Sequence, residues 1–278
     1  MIQSMFSGIS GLRTHQARMD VIGNDIANVN TTGYKQSEIT FQEAYVRTIS
    51  APAPGTPGRQ VGLGVQVGSI SRNFNDGVLM ETGMPANMAL SGDGFFVVAA
   101  PGAAAGEQLF SRSGGFLLDV DATGTYLINP NGQRLQGLMG TPAPDLTGAD
   151  IATLTDIVIP ADTSSFSVGL DGTLYAAVGD ASPVEVGSVA VARFDNNNGL
   201  SSLGNNVYQQ TDAAQVRALT NAGDGGAAQI YQGYLENSNV DLSREFTEMI
   251  VTQRGFQANS KTITTSDEML QELLTLKR

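Results

Sequence analysis

The chain changes character in "IGNDIANVNTTGYKQ", residues 22–36. Before this stretch, Ile2, Met5, Ile9, Leu12, Met19 and Ile26 recur at spacings of three and four, with gaps at Gln16 and Gly23. Ile22 and Val29 widen the stripe, and the period predicts an amphipathic helix over residues 2–27. Within the stretch the stripe fades. Asn28, Asn30, Thr31 and Thr32 bring side chains able to satisfy freed backbone groups, and Gly33 can take the left-handed conformation that caps a helix. The stretch therefore reads as a junction. On this reading, valine at Gly33 should harm assembly more than it harms the structure that follows.

The far end is helical again. Residues 241–276 predict a longer helix, with Leu242, Phe246, Met249, Phe256, Ile263, Leu270 and Leu274 on a heptad seam and Gln253, Ser260 and Asp267 on the same seam. "SNVD", residues 238–241, fits a capping box with Ser238 as N-cap. At 1.5 Å per residue the two helices span roughly 39 and 54 Å. Ser4, Ser7, Gly8, Ser10 and Gly11 keep the first turns of the first helix thin, and Gly23 joins Gly8 and Gly11 on its seam; each glycine costs about 1 kcal/mol of helix stability, but thin turns admit a close neighbour. The two amphipathic ends could pair within one molecule and close the fold, or present a surface for assembly. The second helix outruns the first by about ten residues at 1.5 Å each, and polar seam positions weaken a private pair while specifying register. Both features favour assembly.

Between the ends the pattern is β. All ten prolines lie between Pro52 and Pro183. "GDGFFVVAA" reads as a strand behind a glycine turn. "FSRSGGFLLDVDATGTYLINPNGQRLQG" reads as short strands broken by "SGG", "DATG" and "NPNG", "LDG" marks a further turn, and "EVGSVAVARF" reads as one more strand. Residues 50–60, "SAPAPGTPGRQ", read as a linker or flexible loop. The fold class is α+β, mainly β: long N- and C-terminal helices pairing as a coiled coil, with a central antiparallel β-rich domain. Residues 1–30 with 241–278 form the helical domain, 31–75 with 225–240 a connecting region, and 76–224 the β-rich domain.

Composition narrows the function. Net charge is −12, so nucleic acid and anionic membranes are not expected partners, because phosphate binding needs a basic face. Cysteine is absent, which removes disulfides and thiol chemistry. No run approaches the ~18 apolar residues of a membrane span, and "MIQSMFSGISGLR" lacks the basic start of a cleaved signal. Residues 1–50 carry four basic and four acidic groups, residues 51–228 six and sixteen, and residues 229–278 five and seven. The repulsive charge thus sits on the β-domain, and near-neutral ends can pack side by side.

Chemistry is sparse. The single histidine, His15, lies on the first helix and reads as a surface or interface residue. "DVDATG", Asp119–Gly124, begins like a calcium loop, but Pro130 stands where the closing Glu belongs, so a β-turn is the reading. "GLGVQVG", Gly62–Gly68, has the wrong spacing for a dinucleotide loop. No catalytic, cofactor or metal residue is assigned, no small-molecule substrate is expected, and the chain reads as non-enzymatic. The competing class is an adhesin or enzyme, for instance a glycosidase with two carboxylates, working from residues 76–224 alone.

Four blocks in order carry a resemblance. "SMFSGISGLRTHQARMDVIGNDIANVNTTGYK", above all its "ANVNTTGYK", resembles the N-terminal segment of the bacterial flagellar rod and hook proteins, the axial family of the basal body. "ALSGDGFFVV", the "FSRSGG" block and "YQGYLENSNVDLSREFTEMIVTQRGFQANSKTITTSDEMLQELLTLKR" resemble the family's later blocks. The resemblance implies a structural subunit without cofactor. Its paired terminal helices line an export channel, and its β-domain lies outside them. It also implies export through the flagellar type III apparatus and terminal segments that order on assembly. The implied partners are further copies in a helical polymer, neighbouring rod, hook and hook–filament junction proteins, and the hook cap. The implied location is extracellular for a hook and periplasmic for a rod. The self-assembly residues would be Ile9, Leu12, Met19, Ile22 and Ile26 with the seven apolar residues of the C-terminal seam. The ends and "GLGVQVGSISRNF" look more like hook proteins. The length and the proline-rich insert at 51–60 look more like distal rod proteins. The sequence reading favours hook.

Overall fold

The computed structural model describes residues 2–51, 58–103, 106–121, 124–146, 149–160, 163–179, 182–214, 216–223 and 226–276. The chain forms two compact units. One comprises Met1–Val29, Gln36–Asn73 and Val240–Arg278; the other comprises Asn30–Lys35 and Phe74–Asn239. The expected connecting region does not stand apart. Residues 31–35, 74–75 and 226–239 fold with the β unit, and 36–73 fold with the helices.

In the first unit, α1 (Ile2–Ala27) and α2 (Leu242–Leu276) pack against each other. They run antiparallel: Ser4 Oγ lies 3.3 Å from Ser266 Oγ, Gly11 faces Asn259 and His15 faces Gly255, and Arg18 pairs with Glu248 at 3.0 Å. The helix bounds match the sequence reading to within a residue. The cap of α2 does not. Asp241, not Ser238, is its N-cap: the Asp241 carboxylate accepts from Ser243 N at 2.8 Å, and its carbonyl takes the first helical bond from Glu245 N. A carboxylate there also meets the positive end of the helix dipole.

Strands Ser37–Glu43 and Val65–Arg72 pair antiparallel, with a bulge between Thr40 and Phe41. Burial alternates along the first of them, as a strand with one covered face requires. Phe41 meets the His15 ring edge-on at 5.7 Å and lies under the Arg18 guanidinium. A second ribbon, Val46–Ser50 with Arg59–Gly62, pairs among the described residues only with itself, and all its residues are exposed. The expected linker is therefore entered by strands from both sides; its residues 52–57 lie outside the described residues.

In the second unit, fourteen strands among the described residues join one sheet, and all its pairings are antiparallel. Phe95–Ala99 is central and is buried throughout. Phe96 and Val98 enter a core with Met88, Phe116, Leu135 and Ile230, whereas Phe95 and Val97 enter another with Phe110, Phe194 and Tyr208. A strand covered on both faces shows an unbroken apolar run, which is why "FFVVAA" lacks alternation. The "NPNG" turn forms as read, Asn129 Oδ1 accepting from Asn131 N and Gln133 N. "DATG" joins the paired strands Leu117–Asp121 and Gly124–Ile128, with residues 122–123 outside the described set. "EVGSVAVARF" is two strands, Val184–Val189 and Val191–Phe194. Ala190 breaks the ladder by donating to the Gln136 carbonyl, and the second half pairs with Phe95–Ala99 instead.

Candidate functional site

Two sites follow from the sequence reading: the helical face in the first unit and the junction in the second. On α1, Ile22 is buried, Leu12, Met19 and Ile26 are half-buried, and Ile9 is at the edge of exposure. On α2, Met249, Phe256, Ile263 and Leu270 are half-buried, but Leu242, Phe246 and Leu274 are exposed. One of the two rows of the seam is displaced by one residue. Glu245, Thr252 and Ser266 are the buried positions, with Asn259 between them, whereas Gln253 and Asp267 are exposed and Ser260 is half-buried. The reason lies on α1. Gly8 abuts Ile263, and a Cβ on Gly11 would lie 2.7 Å from the Asn259 carboxamide. This close approach admits the short polar side chain of Asn259, and at the other end of the pair Phe246 is 51% exposed. Gly23 has no neighbour within 4 Å, so it does not belong to the seam. Beyond Ser266 the α1 partner ends, and Met269, Leu273, Leu274 and Leu276 are exposed.

The seam carries charges that the sequence reading did not single out. Asp25 is fully buried and accepts from Ser37 N at 3.1 Å. Glu245, beside it, is buried and accepts from the Gln36 carboxamide. Burial first, and then the Asp25 carboxylate, push the Glu245 carboxyl above the usual carboxylate range. Glu248 goes the other way. Burial would raise it, but hydrogen bonds from Arg18 and Arg244 hold it below that range. Burial and Arg18 hold His15 below the ordinary imidazole value, with its Nδ1 buried and without a hydrogen-bond partner.

The junction divides at Val29. Asn28 closes α1 as read, its Nδ2 donating to the Asn24 carbonyl at 2.9 Å. Asn30–Lys35 belongs to the β unit. Gly33 does adopt the left-handed conformation, φ +69, but it lies beyond the helix end and is no C-cap. Its N–H donates to the Glu236 carbonyl at 2.8 Å. A Cβ there would lie 2.8 Å from Ser113 N. The Thr32 carbonyl accepts from Asn206 Nδ2 at 2.7 Å, and Tyr34 N donates to the Thr31 carbonyl. Asn30 is exposed.

Lys35 anchors this segment. Its side chain, 1% exposed, donates from Nζ to Glu236 Oε1 at 2.7 Å and to the Asn75 carbonyl at 2.8 Å. Glu236, also 1% exposed, takes Arg112 Nε on its other oxygen at 2.8 Å, and Arg112 reaches Asp76 at 2.6 Å. Gly77 N adds a further bond to Glu236. Burial and the Arg112 charge pull the Lys35 ammonium below the usual lysine range, while Glu236 and the Asn75 carbonyl hold its proton. Burial opposes ionisation of Glu236, but Arg112 and Lys35 together keep its carboxyl below the usual range. A buried charge persists only when it is paired and hydrogen-bonded in this way. Asn239 Nδ2 also donates to the Asn75 carbonyl. The three segments by which the chain enters and leaves this unit, residues 30–35, 74–77 and 236–239, are thus bonded to one another.

The comparisons with known proteins cover the same regions. Residues 5–35 match the family described as flagella basal body rod protein. Residues 89–176 match the flagellar hook protein FlgE/F/G D1 domain, and 231–276 the flagellar basal body rod FlgEFG protein C-terminal. The flagellar basal-body rod protein FlgG of Bacillus subtilis is 39% identical over all of both chains. That of Buchnera aphidicola subsp. Acyrthosiphon pisum is 34% identical over 98% of this chain and 99% of its own. The flagellar hook protein FlgE of Borreliella burgdorferi is 28% identical over all of both chains, across an alignment of 453 residues. The chain belongs to the flagellar basal-body rod and hook protein family.

Proposed function

We propose that this chain is a non-enzymatic structural subunit of the distal rod, the rigid drive shaft of the flagellar basal body, and not of the hook. The full-length likeness to rod proteins carries the reading: 39% identity is reached with the rod protein across the whole of both chains, in an alignment of 290 residues. The hook relative needs 453 aligned positions to accommodate this chain of 278. This reverses the preference drawn from the chain ends.

The helical unit supports a polymer. It has ten basic and ten acidic residues, whereas the β unit has five and seventeen. A neutral helical unit with outward Phe246, Ile250, Leu273 and Leu274 suits repeated head-to-tail contacts that do not close on themselves. We take α1 and α2 to form a coiled coil lining an export channel, the β unit to lie outside it, and export to proceed through the flagellar type III apparatus into the periplasm. Electron microscopy of cells lacking the gene tests the assignment. A truncated rod is expected; a complete rod that lacks only its hook would return the chain to the hook class.

A further inference from the structure

Gln108 is a buried amide with an unanswered acceptor. The residue is 8% exposed and stands just before strand Leu109–Ser111. Its Nε2 donates to the Ile151 carbonyl at 3.1 Å, while its Oε1 has no hydrogen-bond partner. A buried acceptor left so is destabilising, so an acceptor kept there points to something that donates to it.

Gln108 forms the wall between two clefts of the β unit. The larger, about 470 Å³, includes Gln136, Thr155 and Asp156. Its carboxylate is engaged already, Asp156 holding Arg134 on one oxygen and Gln136 on the other. The smaller, about 410 Å³, has Ile151 and Phe110 in its lining and Glu107, Gln209, Gln210 and Asp212 around them. Both carboxylate residues are exposed, and no lysine or arginine is among its described lining residues. The surrounding unit carries five basic against seventeen acidic residues, and two of the five, Lys35 and Arg112, are buried in the anchor. A cleft of one charge sign within such a field concentrates the opposite ion.

We propose that the smaller cleft binds the side-chain cation of an arginine on another polypeptide. A guanidinium presents several N–H donors in one plane. Once a small rotation of the Gln108 side chain turns its buried Oε1 into the cleft, a guanidinium can therefore serve that oxygen and a rim carboxylate together, which an ammonium does less well. The volume suits one side chain with its flanking backbone. The site is independent of the choice between rod and hook.

The test is a nuclear magnetic resonance titration of the isotope-labelled full chain with Nα-acetylarginine amide. Nα-acetylcitrulline amide is the uncharged isostere. The arginine probe is expected to shift the Gln108 side-chain amide and the backbone of residues 209–212 saturably, and the citrulline probe is not. Gln108→Met keeps the volume and removes the acceptor. The loss of one charge-assisted hydrogen bond should weaken binding roughly ten-fold or more. Asp212→Asn, at an exposed position where folding is not at risk, should weaken it by a smaller factor. The site is overturned by absence of a saturable shift, by equal shifts with citrulline, or by Gln108→Met binding as before with Asp212→Asn unchanged; the cleft then holds only water. The source of the cation is read by sedimentation of the concentrated chain. A fall in mass on adding the arginine probe assigns the cation to a second copy, and an unchanged mass with intact binding assigns it to a different protein.

Discussion

Replacing Gly33 with alanine tests the placement of the junction. The backbone there sits at φ +69, where an L-residue pays roughly 1–2 kcal/mol. The added Cβ would lie 2.8 Å from Ser113 N and 2.9 Å from the Arg112 carbonyl carbon. Both are backbone atoms of the wall that holds Glu236 and Lys35, so neither can swing aside, and overpacking of this kind costs about 1–3 kcal/mol. The sum, about 2–5 kcal/mol, corresponds to a fall of roughly 5–15 °C in the transition of a unit of this size. The assay follows from composition. The chain has no tryptophan, and six of its seven tyrosines, all but Tyr45, lie in the β unit. Near-ultraviolet circular dichroism therefore reports that unit, and ellipticity at helical wavelengths reports the other. Gly23→Ala is the control: it is exposed and faces nothing within 4 Å, so it should strengthen α1 by up to about 1 kcal/mol. A tyrosine-monitored midpoint that moves less than about 2 °C in Gly33→Ala, or that moves alike in both variants, would refute the reasoning.

Three further outcomes are expected. Glu245→Gln should stabilise the helical unit at neutral pH. The folded-state pKa of Glu245 is raised, so its charge is a cost above that pKa, and the wild-type chain recovers the difference as pH falls through it. The gain should therefore shrink in acid, while Glu248→Gln, at a group held low, should instead destabilise at neutral pH, an effect lost only as pH falls below the ordinary glutamate value, about 4.3, through its depressed pKa; helical melts at neutral pH, at mildly acidic pH and below about pH 4 decide both. Lys35→Met should cost the β unit about 3–5 kcal/mol, as removing one partner of a buried pair does. A urea midpoint within error of the wild type would show that the anchor is not needed.

The legible parts of the fold were those written locally. Long helical periods placed α1 and α2, and the "NPNG" and "LDG" turns punctuated the β unit. One row of the α2 seam lies one position from where the heptad puts it, because a heptad drawn through the apolar residues assumes that the partner wants bulk. Gly8 and Gly11 want the reverse. Whether Phe246 or Glu245 faces α1 depends on a helix more than two hundred residues away in sequence. The anchor was hidden for the same reason. Lys35 stood inside the stretch that marked the junction, but its partner Glu236 is 201 residues away, and Arg112 and Asp76 lie in loops with no periodicity. Nothing near Lys35 in sequence separates a buried lysine from a solvated one. Gln108 carried no signal at all, since an unpaired amide exists only once its surroundings are built.

The two units answer opposite demands. In the β unit the buried charges are paired, and one carboxylate, Glu236, gathers a lysine, an arginine and a backbone amide. The helical unit differs in its charge and its outer face: Glu245 resists ionisation, and larger apolar residues than those in the seam point outward. Isolated helices are marginal in water. A helical pair with such a seam gains from exchanging solvent for further copies, and its equal numbers of acidic and basic residues leave no net repulsion to oppose them. The acidic β units, by contrast, repel one another. Association therefore has to begin through the helices, and the proposed polymer is favoured in one arrangement over the reverse.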